Sequence, residues 1–330
     1  MAEKQFWLFS GWCKQSGRGR DAWPARMLMA MLVLRFSEEG MSRRAAVSRA
    51  RVDMGWRAAM GLPMGGASRS ETTVRRFEAF MMQRDPRTGT TRFLLMHEPV
   101  VRLSLQDAGL RSRAVWATDS TPMWCYGAGG DTVRLLGDGL RWLGGLYARI
   151  TGETLGELAA TCSRLLRVVA QDLEPNEEGR LVVARRVAEN RLISLTDWQA
   201  RHGRKSKSQA FNGFKLHLLG DVTSGLIASV AVTEGNVHDS RSALRLIRGA
   251  KQLCEQMQCV LGDTAYGGAE LRHVVVHQVV RYGGRQARSV GLGRAQWQAH
   301  LIALRCNLSV FAEQALRLDA AAARATAQAA

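Results

Sequence analysis

Two aspartates that follow short apolar runs are the residues best suited to chemistry in this sequence. Asp119 ends the run of residues 115–118 and is followed at once by Ser-Thr-Pro. Asp263 follows the run of residues 259–261 and one glycine. An apolar run that ends on an acid is typical of a buried strand that brings a carboxylate to the rim of a sheet and then stops. Two such acids, 144 positions apart (263 minus 119), predict a divided carboxylate site, although each one alone also fits a turn or a helix cap.

Paired carboxylates of this kind suit a divalent metal ion. They are hard oxygen ligands for Mg²⁺, which keeps several waters and takes one or two protein acids together with substrate phosphates. Two such ions hold the attacking and the leaving oxygen of a phosphodiester, and a third acid normally completes their ligands. The sequence has no Gly-x-x-x-x-Gly-Lys-Ser/Thr loop, so hydrolysis of nucleoside triphosphates is not indicated.

The charge of the chain indicates a polyanionic partner. The net charge is +17 and the isoelectric point is about 10.7, values typical of proteins that bind nucleic acid. The surplus of Lys and Arg over Asp and Glu is ten in residues 1–113, two in residues 114–268 and five in residues 269–330. The positive charge is therefore concentrated at the two ends, and the stretch that holds both aspartates is nearly neutral. A GC-rich coding sequence would explain many arginines but not this asymmetry.

Cysteine spacing and hydropathy predict a cytoplasmic, nucleoid-associated protein. The 6 cysteines are scattered without a Cys-x-x-Cys pair, which argues against a structural zinc and suits a reducing compartment. The longest early apolar run, residues 27–34, is too short to cross a membrane. Residues 1–13 lack the core and the cleavage site of a signal peptide.

The first third of the chain predicts a helical, basic domain. Residues 1–22 are an irregular segment, and residues 23–112 contain short apolar-periodic stretches rich in arginine and separated by glycines. Residues 68–71 have the Ser-x-x-Glu form of a capping box, which predicts the start of a helix. The arginines fit contacts to DNA and fit a solvated helical cap equally well, because no recognition helix can be named.

The remaining chain predicts an α/β catalytic domain over residues 113–312, followed by an Ala-rich tail at 313–330. The predicted order is the Asp119 strand, a helical insertion at about 130–195, a hairpin, a helix at 240–257 and the Asp263 strand. A helix between two strands of one sheet favours parallel pairing, which would bring the two aspartates to neighbouring strand ends. The insertion is predicted to hold three helices, at 131–150, 154–173 and 177–192.

A polar, basic loop is predicted at residues 197–208, just before the hairpin. Such a loop suits contacts to phosphates, with a plain solvated loop as the alternative. Its cationic residues are Arg201, Arg204, Lys205 and Lys207.

These motifs together resemble the bacterial insertion-sequence transposases of the DDE type, which have an RNase H-like catalytic domain. The matching stretches are residues 118–122, 131–139, 197 with 200–209, 211–217, 235–239 and 262–267, and residues 23–82 resemble the helical N-terminal domain of such enzymes. The resemblance implies cleavage at the ends of the element with Mg²⁺ or Mn²⁺, and joining of the freed 3′-hydroxyl to target DNA. It also implies double-stranded DNA as partner, both terminal inverted repeats and target, and a homodimer in the synaptic complex.

The resemblance assigns Asp119 as the first acid of the triad and Asp263 as the second. His238 and Asp239 lie on a motif that we interpret as structural or as supporting these acids. Residues 282–288 resemble the basic stretch near the end of such enzymes, and they contribute Arg285 and Arg288 as further DNA-binding candidates.

The chain departs from the family pattern before the third acid. The basic stretch begins only 19 residues after Asp263 (282 minus 263), as if an internal segment were deleted, and Glu270 is the one acid between them. Glu270 is therefore the candidate third ligand, with a helix-start glutamate as the alternative. Two other functions remain open at this point: a catalytically inactive relic that binds element ends, and an RNase H-like nuclease without a joining step.

Overall fold

The computed structural model describes residues 9, 11–12, 22–63, 70–107, 115–147, 152–184, 188–205, 208–254, 257, 259–262 and 277–329. Its first part is all-helical, as predicted. The helices are α1 Ala25–Phe36, α2 Arg43–Val52, α3 Met54–Ala59, α4 Glu71–Met82 and α5 Arg92–Asp107.

Side-chain caps begin three of these helices. Ser42 accepts a hydrogen bond from the Ala45 N–H at the start of α2, and Asp53 does the same for Trp56 at the start of α3. Such caps satisfy N–H groups that have no partner inside the helix. The cap of α4 is Ser70, two positions later than the predicted capping box, and it accepts from the Thr73 N–H.

The N-terminal helices share one hydrophobic core with the rest of the chain. This core includes residues of α1, of the central sheet and of the long C-terminal helix α10, Leu292–Ala329. Trp297 of α10 lies against Phe36 and Phe93, with ring centroids 5.5 Å and 6.2 Å away. Below this junction, buried Glu78 accepts hydrogen bonds from Arg35 and Arg43, each at 2.6 Å.

A mixed five-stranded sheet forms the centre of the second part. The strands are β1 Trp116–Trp124, β4 Arg201–Arg204, β5 Ala210–Asp221, β6 Ile227–Glu234 and β7 Val260–Leu261. Their order in the sheet is β4-β5-β1-β7, and β6 also pairs with β5. All pairs are antiparallel except β1 with β7, which is parallel as predicted.

β1 continues past the proline that was expected to end it, so Asp119 lies in the middle of the strand and not at its tip. Trp116 and Trp124 donate their N–H groups away from β5, to the carbonyls of Cys259 and Arg285. Because N–H directions alternate along a strand, the nitrogen of Pro122 also faces away from β5. The proline therefore removes no hydrogen bond from the β1–β5 ladder.

Helices cover both faces of the sheet. Ala117 and Met123 of β1 belong to the core that includes α10, whereas Trp116 packs in a second cluster with α8, Ser240–Leu253. Successive strand residues point to opposite faces, so Asp119 shares the α10 face and Ser120 the α8 face. Gly213 of β5 is required where it pairs with β1, since a Cβ there would overlap the Met123 carbonyl oxygen.

The insertion is only partly helical. Two helices, α6 Thr132–Tyr147 and α7 Gly152–Ala170, pack around Leu135, Leu165 and Val168 as predicted. The third predicted helix, at 177–192, is wrong: a hairpin of β2 Leu173–Pro175 and β3 Leu181–Val183 takes its place. Its turn is held by the Asn176 side chain, which accepts from the N–H groups of Glu178 and Arg180. A local side-chain bond of this type competes with helix formation.

Two further expectations differ from the structure. The predicted loop at 197–208 contains strand β4, in which Arg201 pairs with Gly213 and Arg204 with Ala210. The predicted tail at 313–330 continues α10 as far as Ala329, in keeping with the high helix propensity of alanine. A short helix, α9 His277–Arg281, precedes α10.

Candidate active site

Asp119 is a buried carboxylate in the central strand of the sheet. Its residue is only 3% exposed, and it pairs with Leu218 of β5. The N–H of Ser120 donates to its Oδ1 at 2.6 Å, which holds that oxygen in place. An ionised carboxylate that is shielded from water needs compensating partners, so this position is suited to a bound cation.

β7 runs parallel to β1 and leads the chain toward Asp119. Trp116 pairs with Val260 and Ala117 with Leu261, so partners in this ladder are 144 positions apart. Gly262 follows, and a Cβ on it would lie 3.8 Å from Cγ2 of Thr118. The other two predicted ligands, Asp263 and Glu270, lie outside the described residues.

A polar cluster stands behind Asp119 on the α8 face. The hydroxyl of Ser120 donates to Oδ2 of Asp239 at 2.9 Å, and Lys215 Nζ donates to Oδ1 of Asp239 at 2.9 Å. Lys215 also donates to the Val237 carbonyl at 2.9 Å. Burial alone would raise the pKa of Asp239, but the hydrogen bond and charge of Lys215 outweigh it and hold that pKa below its ordinary value. Asp239 is thus an ionised anchor for the residue next to Asp119.

His217 extends this cluster across the sheet. It pairs with Ser120 in the β1–β5 ladder, and its Nε2 lies 2.8 Å from the Thr233 hydroxyl. Burial lowers the pKa of His217 to about 4, so the ring is neutral at pH 7. The sequence signal for this cluster is the pair of polar residues, Lys215 and His217, at alternate positions of an otherwise apolar strand.

The structure separates the predicted DNA-binding residues into two groups. Arg201 is 5% exposed and donates to the carbonyls of Trp198 and Ala200. Arg288 donates to the carbonyls of Arg35 and Glu38, and burial, followed by the charge of Arg35, lowers its pKa to about 10. The Arg201 guanidinium therefore holds the turn before β4, and the Arg288 guanidinium joins the segment before α10 to the end of α1.

The other cationic candidates are exposed. Arg204 and Lys205 lie at the end of β4, and Lys205 Nζ donates to the Ser120 carbonyl at 3.3 Å. Arg285, between α9 and α10, lies beside the end of β1, where its carbonyl accepts from the Trp124 N–H. Lys207 lies outside the described residues. Lys205 therefore brings a positive charge close to the strand that carries Asp119.

Family models match two parts of the chain. Residues 186–302 match the transposase DDE domain, and residues 8–79 match a transposase domain designated DUF772. The chain belongs to the DDE transposases of insertion sequences. Neither a curated protein nor a solved structure gives a match.

The two matches agree with the fold of this transposase. The N-terminal match covers α1 to α3 and most of α4, and the DDE match covers β4 to β7 and α8, consistent with an RNase H-like domain after a helical one. Positions 263 and 270 fall inside the DDE match, whereas Asp119 lies between the two matched ranges. Over the described ranges, no three His, Cys, Asp or Glu side chains form a metal-binding group. No helix in those ranges combines the length and the apolar character that crossing a membrane requires.

Proposed function

We propose that this transposase cuts DNA at the ends of its element and joins the freed 3′-hydroxyl to target DNA. Asp119 and Asp263 hold the divalent metal in this proposal, and Glu270 is the third ligand. The observation that carries it is the parallel pairing of β1 with β7. Partners in that ladder differ by 144 positions, which is also the separation of the two aspartates.

The described residues fit a metal ion at this place. Asp119 offers a hard, buried oxygen donor, the type of ligand that Mg²⁺ and Mn²⁺ take in proteins. A Cβ on Gly262 would lie in ordinary van der Waals contact with Thr118, so β7 ends close beside β1. When bound, paired metal ions of this class hold the attacking and leaving oxygens of an in-line displacement.

The protein itself contributes orientation and positive charge. Ser120 holds Oδ1 of Asp119 through its N–H while its own hydroxyl is anchored on Asp239. This chain of hydrogen bonds keeps the carboxylate in one orientation before DNA arrives, which is how a site lowers the cost of reorganisation. Arg204, Lys205 and Arg285 provide exposed cations for contacts to phosphates.

The test is cleavage of a duplex that carries the terminal repeats of the element. Asp119→Asn and Asp263→Asn should each lower cleavage with Mg²⁺ or Mn²⁺ about a thousandfold, because each removes metal affinity and transition-state stabilisation. Binding of the duplex should persist. Asp221→Asn is the control, since Asp221 is a buried acid of the same sheet that pairs with Trp116, three positions before Asp119 in β1. Unchanged cleavage by both site variants would refute the assignment.

Two further measurements separate the alternatives. Glu270→Gln should reduce cleavage as strongly as the aspartate variants if Glu270 is the third ligand, and should leave it unchanged if it only begins a helix. Joined products with a supplied target plasmid distinguish a transposase from a nuclease. A parent protein that binds the terminal repeats but cuts with neither metal is an inactive relic.

A further inference from the structure

A cleft of about 460 Å³ lies at the β6 edge of the sheet, two strands away from β1. We name it the α8 cleft. Its walls come from α5, α8 and β6, and α10 contributes to its lining. The polar side chains that matter here are His97, Glu98, Arg241, Arg245, Arg248 and His300.

One wall of the α8 cleft is a row of arginines. Arg241, Arg245 and Arg248 are exposed and follow one another at intervals of four and three residues, so they share one face of the helix. Within the described residues, none of the three guanidinium groups makes a hydrogen bond or an ion pair. Arg141 and Arg180, by contrast, are exposed arginines that pair with Asp138 and Glu178. Glu98 is the one acid among the described lining residues, so the three arginines leave a surplus of positive charge.

The floor of the cleft holds two buried imidazoles. His97 is 2% exposed and His300 is 8% exposed, with ring centroids 5.4 Å apart. Both ring nitrogens of His97 and Nδ1 of His300 have no hydrogen-bond partner among the described residues. Burial holds the pKa of His97 near 4 and that of His300 well below its ordinary value, so both rings are neutral. A neutral imidazole keeps one N–H donor, and a buried donor without a partner favours a ligand that accepts.

The arginine row starts at the candidate active site. Asp239, which anchors Ser120 beside Asp119, immediately precedes α8, and Arg241 follows two residues later. The row from Arg241 to Arg248 then extends about 10 Å along the helix axis. The helix that carries the row packs on the face of the sheet opposite to the one that Asp119 shares with α10.

We propose that the α8 cleft binds the phosphate backbone of double-stranded DNA, through Arg241, Arg245 and Arg248 and the imidazole donors beneath them. This surface is distinct from the exposed cations at the end of β4 and from Arg285 between α9 and α10. The inference rests on the proposed function only in taking double-stranded DNA as the ligand. The contacts involve no base edges, so the interaction is independent of sequence.

The experiment measures binding of a duplex of unrelated sequence to the full-length protein without divalent metal, over a range of salt concentrations. Each lost phosphate contact reduces the slope of log K against log salt by about 0.9. We therefore expect a reduction of about 0.9 for Arg248→Ala and about 1.8 for Arg245→Ala/Arg248→Ala. Affinity at a fixed salt concentration should fall about three- to tenfold for each arginine. Lys251→Ala is the matched control, because Lys251 is an exposed cation of α8 outside the cleft lining.

A second variant tests the floor of the cleft. His97→Leu removes a donor without removing charge, so DNA affinity should fall about threefold while the salt slope stays that of the parent. Thermal unfolding should be unchanged or improved, since a buried polar group without a partner is lost. If His97 had only a structural role, His97→Leu would instead lower the thermal stability of the protein and leave its DNA affinity unchanged.

The outcomes are separable from those of the proposed function. If Arg245→Ala/Arg248→Ala keeps the parent slope and affinity, or if Lys251→Ala loses as much as Arg248→Ala, the cleft inference is wrong. If millimolar inorganic phosphate displaces the duplex from the parent and from the double variant equally, the cleft is not the phosphate site. Asp119→Asn retaining cleavage would refute the catalytic assignment and leave the binding result intact.

Discussion

Replacing Asp239 with asparagine should destabilise the transposase and disturb the site at the same time. The change keeps the shape of the side chain but removes the negative charge that accepts from Ser120 and Lys215. The side chains of Lys215 and Asp239 are only 14% and 26% exposed, so the lysine would be left as a poorly solvated cation. Breaking a fully buried pair costs about 3–5 kcal/mol, and partial exposure reduces this to about 2 kcal/mol here.

The stability that Asp239 contributes should depend on pH in a direction that its pKa sets. Because the folded-state pKa of Asp239 lies below its ordinary value of 3.8, the ionised form is the one that folding stabilises. That stability is fully present above pH 3.8 and is lost as the pH falls through the lower folded-state pKa. Asp239→Asn lacks this contribution. The difference in the free energy of unfolding between the parent and this variant should therefore become smaller as the pH falls.

A double-mutant cycle measures the coupling free energy between Asp239 and Lys215. It compares urea denaturation of the parent, Asp239→Asn, Lys215→Met and the double variant. The double variant should be more stable than Asp239→Asn, because removing both partners leaves no unpaired charge. Cleavage of terminal-repeat DNA should fall in Asp239→Asn, since Ser120 loses its anchor beside Asp119. Strictly additive free energies in the four proteins, or an unchanged Asp239→Asn, would refute the reasoning.

Two further substitutions, each with a matched control, test the fold that supports the site. Glu78→Gln should lower the free energy of unfolding by about 3 kcal/mol, because it leaves a buried arginine unpaired. Glu71→Gln should change it by less than about 1 kcal/mol in the same urea titration, because its ion pair is exposed. Gly213→Ala should cost more than about 3 kcal/mol or prevent folding, since its Cβ overlaps a carbonyl oxygen of β1. Gly137 is in a helix with open space around it, so Gly137→Ala should stabilise the protein by about 1 kcal/mol. Equal melting temperatures for the two alanine variants would contradict the packing argument.

The order of elements was predictable from the sequence because periodicity and turn residues are local signals. The hairpin of β5 and β6, the helix between β6 and β7, and the parallel pairing of β1 with β7 are all confirmed. The pairing follows from chain connectivity, because a helix between strands favours the parallel arrangement. The roles of Asp119 and Asp263 stay predictions, and the positions of Asp263 and Glu270 lie outside the described residues.

The errors came from interactions that a local pattern does not contain. Pro122 suggested the end of β1, but its nitrogen faces away from β5 and the strand continues. The DNA-binding roles of Arg201 and Arg288 stay predictions, and a local pattern does not show that both side chains donate to backbone carbonyls of the fold. The cluster around Asp239 depends on Lys215 and Ser120 meeting across the sheet, which only the register reveals.

The junction at Trp297 has a consequence for how such a protein changes over time. Phe36 and Phe93 cover this indole, and the Arg288 guanidinium reaches two carbonyls of the first helical region. The leading helices therefore complete the interior of the part that carries Asp119. Exchanging them for unrelated helices would strip that interior, so a new surface on this region has to arise by substitution of exposed residues within the existing helices.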